Sequence, residues 1–506
     1  MLEDSLKKIA GGGFIIFIGT LFSLLLQFFY RLIIIRNVSQ YEYGLFSLGL
    51  VIVSILLTFS LLGLEFGVSR FIGFYRGHQD DQKITSIIAS SIKISVISGI
   101  FFMLILWASS PLLSSILHDG SLKNIFSIFA ISLPFSAFIQ VMISVYLGLE
   151  RVMPKVIINN LQFVLLIIGF YIVRALDLPF MSIIYAYSIA IFFTFLALAF
   201  YSKKIFRLAR KRTKTKMMTK KLLLFSLPLL GQNLFSALIV WTDTLMLGFF
   251  KNPETVGLYN SAIPLAHLIP IMLTSTGFIF IPIFSQLYAR GLLDEMRKVY
   301  VTITKWLFSS SMIIILFVLL FPGNLISFFY GEGYIAAATA LKILAIGFII
   351  HILSGPNGLS LVVIGKTKQL LITSFAGCVL NIILNILFIP RWGIIGAATA
   401  STITLIAINI INLSILYYFS KIHILNRRHL LPPILFTVLV VVLYYFFSSI
   451  DFSIIYSLVV VIFLFVLYIF LMYLSKSFNQ DDNIIISLIE SKLKVNLNFL
   501  RKVING

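Results

Sequence analysis

The sequence predicts an all-α integral membrane protein: fourteen transmembrane helices in two six-helix repeats, with two further helices appended. Three observations carry this expectation. Hydrophobic residues make up 60% of the chain and charged residues 11%, with a mean hydropathy of +1.06, far from the range of soluble domains. The chain also repeats itself: Tyr41-Glu42-Tyr43-Gly44-Leu45-Phe46-Ser47 returns as Glu254-Thr255-Val256-Gly257-Leu258-Tyr259-Asn260, an offset of about 213 residues. Phe74-Tyr75-Arg76-Gly77 likewise returns as Tyr288-Ala289-Arg290-Gly291, with a similar apolar stretch between the two strings in each copy. Finally, the basic residues divide between the two sides of the membrane unevenly enough to set an orientation.

Taken in order, apolar runs of about 20 residues bounded by charges or turn residues fall at 9–35, 44–74, 84–107, 122–148, 156–173 and 181–201, and make a first lobe (1–201). Lys7 and Lys8 precede the first run and no small-residue cleavage site follows it, so it reads as a retained helix. A stretch at 202–221 holds ten Lys and Arg and forms a basic cytoplasmic linker along the inner membrane surface. The second lobe (222–420) follows, with runs at 222–250, 256–287, 299–321, 335–364, 370–390 and 393–419. Runs at 431–448 and 453–474 have no counterpart in the repeat and make an appended pair (421–475). The tail (476–506) is basic and amphipathic over 484–494, the pattern of a helix lying in the membrane interface.

With the amino terminus inside, 29 of the 39 Lys and Arg fall on the inner side. Only Arg36, Lys123, Arg174, Lys251 and Arg391 fall outside, the other five being within runs. Both termini are therefore expected in the cytoplasm, in a cell-membrane protein with an even number of spans. The net charge of +21 then becomes a topological signal with anionic membrane lipids as its partners, and not a nucleic-acid one.

Enzyme chemistry finds no support in the motifs. The outer loops are short, and the longest, 108–121, offers Asp119 and little else. Gly365-Lys366-Thr367 lacks the earlier glycine of a phosphate-binding loop, because that position is Ser360, and no strand precedes it. Asn37-Val38-Ser39 is a glycosylation sequon that abuts the membrane. The single cysteine, Cys378, forms no internal disulfide or Cys-based metal cluster and reads as packing. The expectation is a transporter, with no catalytic residue, no metal site and no cofactor.

What remains is charge inside the bilayer, where each group costs at least about 2.5 kcal/mol unless it faces a cavity or a partner. The cations Arg31, Arg70, Lys93, Lys305 and Lys342 are candidates for substrate binding. Arg31 lies near the outer end of its run, where snorkelling and cavity lining both fit. Arg70 lies near an inner end, with Glu65 placed either to pair with it or to leave it for a substrate. Lys93, about nine residues into its run and on the order of 14 Å deep, reads as cavity-lining. Lys305 and Lys342 sit roughly one and a half to two turns deep. The repeat places Asp243 beside the equivalent of Arg31. The two either meet as an outer gate or act apart, Asp243 then serving a coupling Na+ or H+. His267 and His351 are packing residues or a proton relay, and Gln232, Asn233 and Ser236 offer polar contacts to a sugar.

This six-plus-six-plus-two layout resembles the multidrug/oligosaccharidyl-lipid/polysaccharide exporter superfamily. The strings Tyr41 to Ser47, Gly63-Leu64-Glu65-Phe66-Gly67-Val68-Ser69-Arg70 and Val256-Gly257-Leu258-Tyr259 are similar to its polysaccharide transporter branch, the oligosaccharide flippases. The resemblance implies a V-shaped pair of lobes. It implies alternating-access flipping of a polyprenyl-(di)phosphate-linked oligosaccharide from inner to outer leaflet, for cell-surface polysaccharide or glycan biosynthesis. Glycan-assembly proteins are then further partners. Arg31, Arg70 and Lys93 supply the sign of charge that such a phosphate needs, and the appended helix pair a groove for the prenyl tail. Two alternatives lie in the same superfamily. A flippase for a peptidoglycan lipid precursor has the same span count; a cation-coupled drug antiporter implies twelve spans and an acidic cavity, at odds with mostly basic candidates.

Overall fold

The computed structural model describes residues 2–203, 205, 218–422, 436, 453–475, 477 and 482. Regular structure among them is helical throughout. In chain order the helices are α1 Leu2–Asn37, α2 Gln40–Leu61, α3 Leu64–Gly77, α4 Asp81–Ile116, α5 Ser121–Ala130, α6 Ser132–Gly148, α7 Met153–Ala175 and α8 Met181–Tyr201. There follow α9 Thr219–Phe250, α10 Pro253–Ala266, α11 Ile271–Ala289, α12 Leu293–Leu320 and α13 Pro322–Tyr330. A 3-10 turn at Glu332–Ala337 leads to α14 Ala338–Leu353, α15 Asn357–Val363, α16 Thr367–Ser420 and α17 Ile454–Leu474. The expected tail helix at 484–494, the run at 431–448 apart from residue 436, and most of the basic linker lie outside the described residues.

Local chemistry sets the helix ends. Ser39 and Glu42 form a capping box at the start of α2: the Ser39 side chain accepts from the Glu42 backbone N–H, and the Glu42 carboxylate accepts from that of Ser39. The Asp80 carboxylate caps α4 by accepting from the Lys83 N–H at 3.0 Å. Asp80 is also held below the usual carboxylate range by its hydrogen bonds to Lys83. Leu62 and Gly63 turn left-handed, at φ 50° and 71°, and break the run at 44–74 into α2 and α3. Gly393, at φ 55° and ψ −126°, interrupts α16 between the two runs expected there, a backbone state that glycine enters without a Cβ clash.

By length and composition, 10 helices of the described residues are able to cross a membrane, or 11 if the α5–α6 pair, bent by 40°, is one span. The further expected runs are placed as follows: 256–287 falls on α10 and α11, and 370–390 and 393–419 share the single helix α16. Large apolar side chains such as Trp107 and Phe463, 64% and 66% exposed, suit a lipid solvent, in which backbone polar groups are satisfied inside each helix.

The chain divides into two compact units. The first is Met1–Ser261 with Ser374–Ala397. Its apolar core joins Leu64, Val68 and Ile72 of α3 to Ile87 of α4 and to Val141, Met142 and Val145 of α6. Within it α9 packs on α2 and α3, so closely that a Cβ at Gly63 or Gly67 would overlap Ser226. The second unit is Ala262–Thr373 with Ala398–Gly506. Its core joins Phe280 and Phe284 of α11 to Tyr300 of α12, Leu361 of α15 and Leu416 of α16.

Candidate functional site

The strongest polar constellation of the first unit is built around Asp243, near the end of α9 and only 4% exposed. Its Oδ2 accepts a 2.6 Å hydrogen bond from Tyr259 Oη, and its Oδ1 accepts from Asn385 Nδ2 at 2.8 Å and Asn381 Nδ2 at 3.3 Å. One turn of α16 separates the two asparagines, so both amides reach the same carboxylate. Next to Asp243, Thr244 and Asn260 exchange hydrogen bonds between their side chains at 3.3 and 3.2 Å. The Asn385 Oδ1 is buried with no hydrogen-bond partner. A buried carboxylate with a spare amide oxygen beside it is a set of hard oxygen donors suited to a small cation or a proton.

Arg31 takes no part in the hydrogen bonds described for Asp243. It is half-buried on α1, and its charge acts on the phenols of Tyr30, Tyr43 and Tyr187. The rings of Tyr30 and Tyr187 belong to an aromatic cluster in which Phe46 lies edge-on to Tyr30, Tyr187 and Phe129. Close by in sequence, the repeat-related segments at the starts of α2 and α10 touch each other. A Cβ at Gly44 would overlap the Pro253 carbonyl oxygen and lie 3.1 Å from the Gly257 nitrogen. A Cβ at Gly257 would overlap the Gln40 carbonyl oxygen and lie 3.1 Å from the Gly44 nitrogen.

Glu65 does not pair with Arg70. It accepts a 3.2 Å hydrogen bond from Asn233 Nδ2, while the Arg70 guanidinium lies over Phe225 at 4.1 Å. Asn233, read from the sequence as a sugar contact, is thus engaged with Glu65. Gln232 is half-buried and Ser236 exposed on the same helix. Lys93 is exposed on a stripe of α4 that continues as Ile97, Ile100, Leu104 and Trp107. Among the described residues, no carboxylate forms an ion pair with Arg31, Arg70 or Lys93.

The second unit treats its charges differently. The Lys305 side chain is 3% exposed and forms a 2.6 Å ion pair with Asp482, itself fully buried. The ammonium also donates to the Ser477 carbonyl at 2.9 Å, and the Trp306 indole donates to Asp482 Oδ1 at 2.8 Å. Lys305 is therefore compensated inside the protein, and a substrate phosphate would have to displace a carboxylate to use it. Lys342 is half-buried on α14. His351 donates from Nδ1 to Asn409 Oδ1 at 3.0 Å, and Asn357 donates to the same oxygen at 2.8 Å. His267 is exposed, edge-on to Phe348. The two histidines join separate local contacts.

Sequence reasoning missed Tyr259, Asn381, Asn385, Trp306 and Asp482. The asparagines had a usable signal, two amides at i and i+4 inside an apolar run. Asp482 had none, being a tail carboxylate 177 positions from its partner.

Comparison with known proteins agrees with this architecture. Residues 9–288 match the family model described as polysaccharide biosynthesis protein, and residues 228–387 match the MatE model. An uncharacterized membrane protein of Methanocaldococcus jannaschii is 28% identical over 166 residues, which is 32% of this chain and 32% of that relative. The matched part thus spans about a third of the curated relative's length. Among solved structures, the lipid II flippase MurJ in an inward closed conformation superimposes with a TM-score of 0.72 at 16% identity, covering 91% of this chain and 99% of that one. An inward-facing MATE family multidrug resistance transporter of the MOP superfamily gives 0.67 at 15% identity, over 77% and 92% of the two chains. A Vibrio cholerae MATE transporter gives 0.58 at 16%, over 82% and 98%. At such identities these structures establish the fold alone: a multi-pass membrane transporter fold.

Proposed function

The chain belongs to the polysaccharide biosynthesis protein family, within the polysaccharide and lipid flippase branch of the MOP exporters, and on that premise we propose that it flips a polyprenyl-(di)phosphate-linked oligosaccharide from the inner to the outer leaflet. It performs no covalent chemistry. Both termini lie in the cytoplasm, the membrane is the cell membrane, and alternating access moves the head group while the prenyl tail stays in lipid.

The observation that carries the reading is the contrast between intramembrane cations. Lys305 is sealed by Asp482, whereas Arg31, Arg70 and Lys93 have no ion-pair partner among the described residues. An uncompensated cation in a bilayer costs at least about 2.5 kcal/mol, a cost that an anionic cargo offsets. Asp243 with Asn381 and Asn385 offers the oxygen donors for a coupling Na+ or H+. Such a cation supplies charge compensation at Asp243, and Tyr259 and the two amides hold the carboxylate in position for it.

The test is complementation of a flippase-deficient strain, together with delivery of lipid-linked oligosaccharide to the outer leaflet of proteoliposomes. Arg31→Gln and Lys93→Gln abolish export while abundance in the membrane holds, and Lys93→Arg retains part of it. Wild-type export by both neutral variants would sink the cationic route. Export of a peptidoglycan precursor in place of the glycan would move the cargo to the cell wall.

A further inference from the structure

Where α3, α4 and α9 approach one another in the first unit, cations are laid on a row of aromatic rings. Phe71 meets Phe225 edge-on with centroids 5.3 Å apart, and stacks on Tyr75 at 6.3 Å. The Arg70 guanidinium lies 4.1 Å from the Phe225 centroid and 5.8 Å from that of Phe71. Lys221 Nζ lies 5.5 Å from the centroids of both Phe71 and Tyr75, and donates a 2.8 Å hydrogen bond to Tyr75 Oη. Backbone packing builds the row: Gly67 admits Ser226 of α9, which brings Arg70, one turn later on α3, against Phe225, the neighbour of Ser226.

The row is also selective in how it treats charge. Lys83, whose ammonium lies 5.2 Å from the Tyr75 centroid, is ion-paired with Asp80 at 2.7 Å. Arg70 and Lys221 share the Phe71 ring, are exposed, and have no carboxylate ion-paired with them among the described residues. A ring satisfies the flat face of a guanidinium and leaves its edge N–H donors free. Those donors, with a lysine ammonium anchored on a neighbouring ring and a phenol, match the oxygens of a phosphate ester.

From this geometry we infer that Arg70 and Lys221 form a binding site for a lipid-borne phosphate, with Tyr75, Phe71 and Phe225 as its positioning residues. The inference deepens the flippase reading, and rests on it only in naming the occupant as the (di)phosphate of the carrier lipid at an early point of its route. Free phosphate and the head group of an ordinary anionic lipid share the chemistry, so the experiment must separate them.

The full-length protein in neutral detergent is titrated with dodecyl phosphate and with dodecanol, with bound ligand read by native mass spectrometry. Dodecyl phosphate is expected to bind and dodecanol not. Arg70→Gln and Lys221→Gln each weaken binding about tenfold, the loss of one charge-assisted contact. Phe225→Leu, which keeps both charges, weakens it less. Lys366→Gln, which removes a cation lying over Phe419 in the second unit, leaves binding as in the wild type. Arg70→Lys retains part of the affinity, and reports on the site should the glutamine variant not fold. Equal binding by the wild type and the Arg70→Gln, Lys221→Gln double variant overturns the site. Displacement of dodecyl phosphate by millimolar inorganic phosphate overturns the lipid-borne assignment, and tighter binding of phosphatidylglycerol than of farnesyl phosphate overturns the carrier lipid as occupant. A wild-type chain that binds dodecyl phosphate yet exports no glycan overturns the flippase reading and leaves the phosphate site supported.

Discussion

Two buried charges, Asp243 and Lys305, look alike in the sequence and differ in the folded chain. Asp243 is held by hydrogen bonds from Tyr259, Asn381 and Asn385, which gather carboxylate and amide oxygens of the kind that suits a mobile cation. Asp243→Asn is expected to keep the protein folded and abolish the dependence of export on a Na+ or pH gradient, measured in proteoliposomes. Export by this variant that still follows the gradient would move coupling elsewhere. Lys305, by contrast, is consumed by Asp482. Removing one partner of a buried pair strands the other, at a cost of about 3–5 kcal/mol, whereas replacing both with apolar groups is often close to neutral. Lys305→Met should therefore lower the thermal unfolding temperature in detergent sharply, and Lys305→Met with Asp482→Leu should recover most of the loss. A double variant as unstable as the single would show that the pair is not what holds the segment. The sequence displayed Lys305 as an intramembrane cation like the others; only the fold reveals that a tail carboxylate reaches it.

At the scale of elements, the legible signal was the repeat itself, and the illegible one was what the repeated segments do to each other. Gly44 and Gly257 were expected to be equivalent positions of two copies. In the first unit each is also the other's neighbour, with backbone where a side chain would stand. A contact between equivalent residues is isologous: the same residue type solves both sides. Pro253 and Gln40 carbonyl oxygens are backbone and cannot swing aside, so Gly44→Ala or Gly257→Ala forces α2 and α10 apart. Either substitution is expected to reduce cross-linking of a Gln40→Cys, Glu254→Cys pair several-fold relative to the same pair with both glycines intact. Cross-linking at the unaltered rate would show that the helices do not need this approach. Composition alone does not reveal such a crossing, because glycine is common in membrane helices for several reasons.

For the whole molecule, hydropathy located the apolar helical segments because a chain in the bilayer must satisfy its backbone polar groups within helices. It located breaks poorly, since Leu62, Gly63 and Gly393 act through backbone angles that leave no mark on hydropathy. The charge asymmetry makes the matching prediction about orientation. A cysteine at Asn252, in a chain whose Cys378 is replaced by Ala, should react with an impermeant maleimide in intact cells, and one at Lys214 only after permeabilisation. The reverse pattern would invert the topology.

The pairing of Lys305 with Asp482 has a consequence in time. The lysine enters the membrane 177 residues before its partner exists. At about 5–20 residues per second, the ribosome leaves that ammonium without its carboxylate for on the order of ten seconds or more. The second unit thus reaches its final charge balance only when the carboxyl end emerges. A chain released short of Asp482 lacks the carboxylate that closes this ion pair, and is expected to unfold at a lower temperature than the full chain.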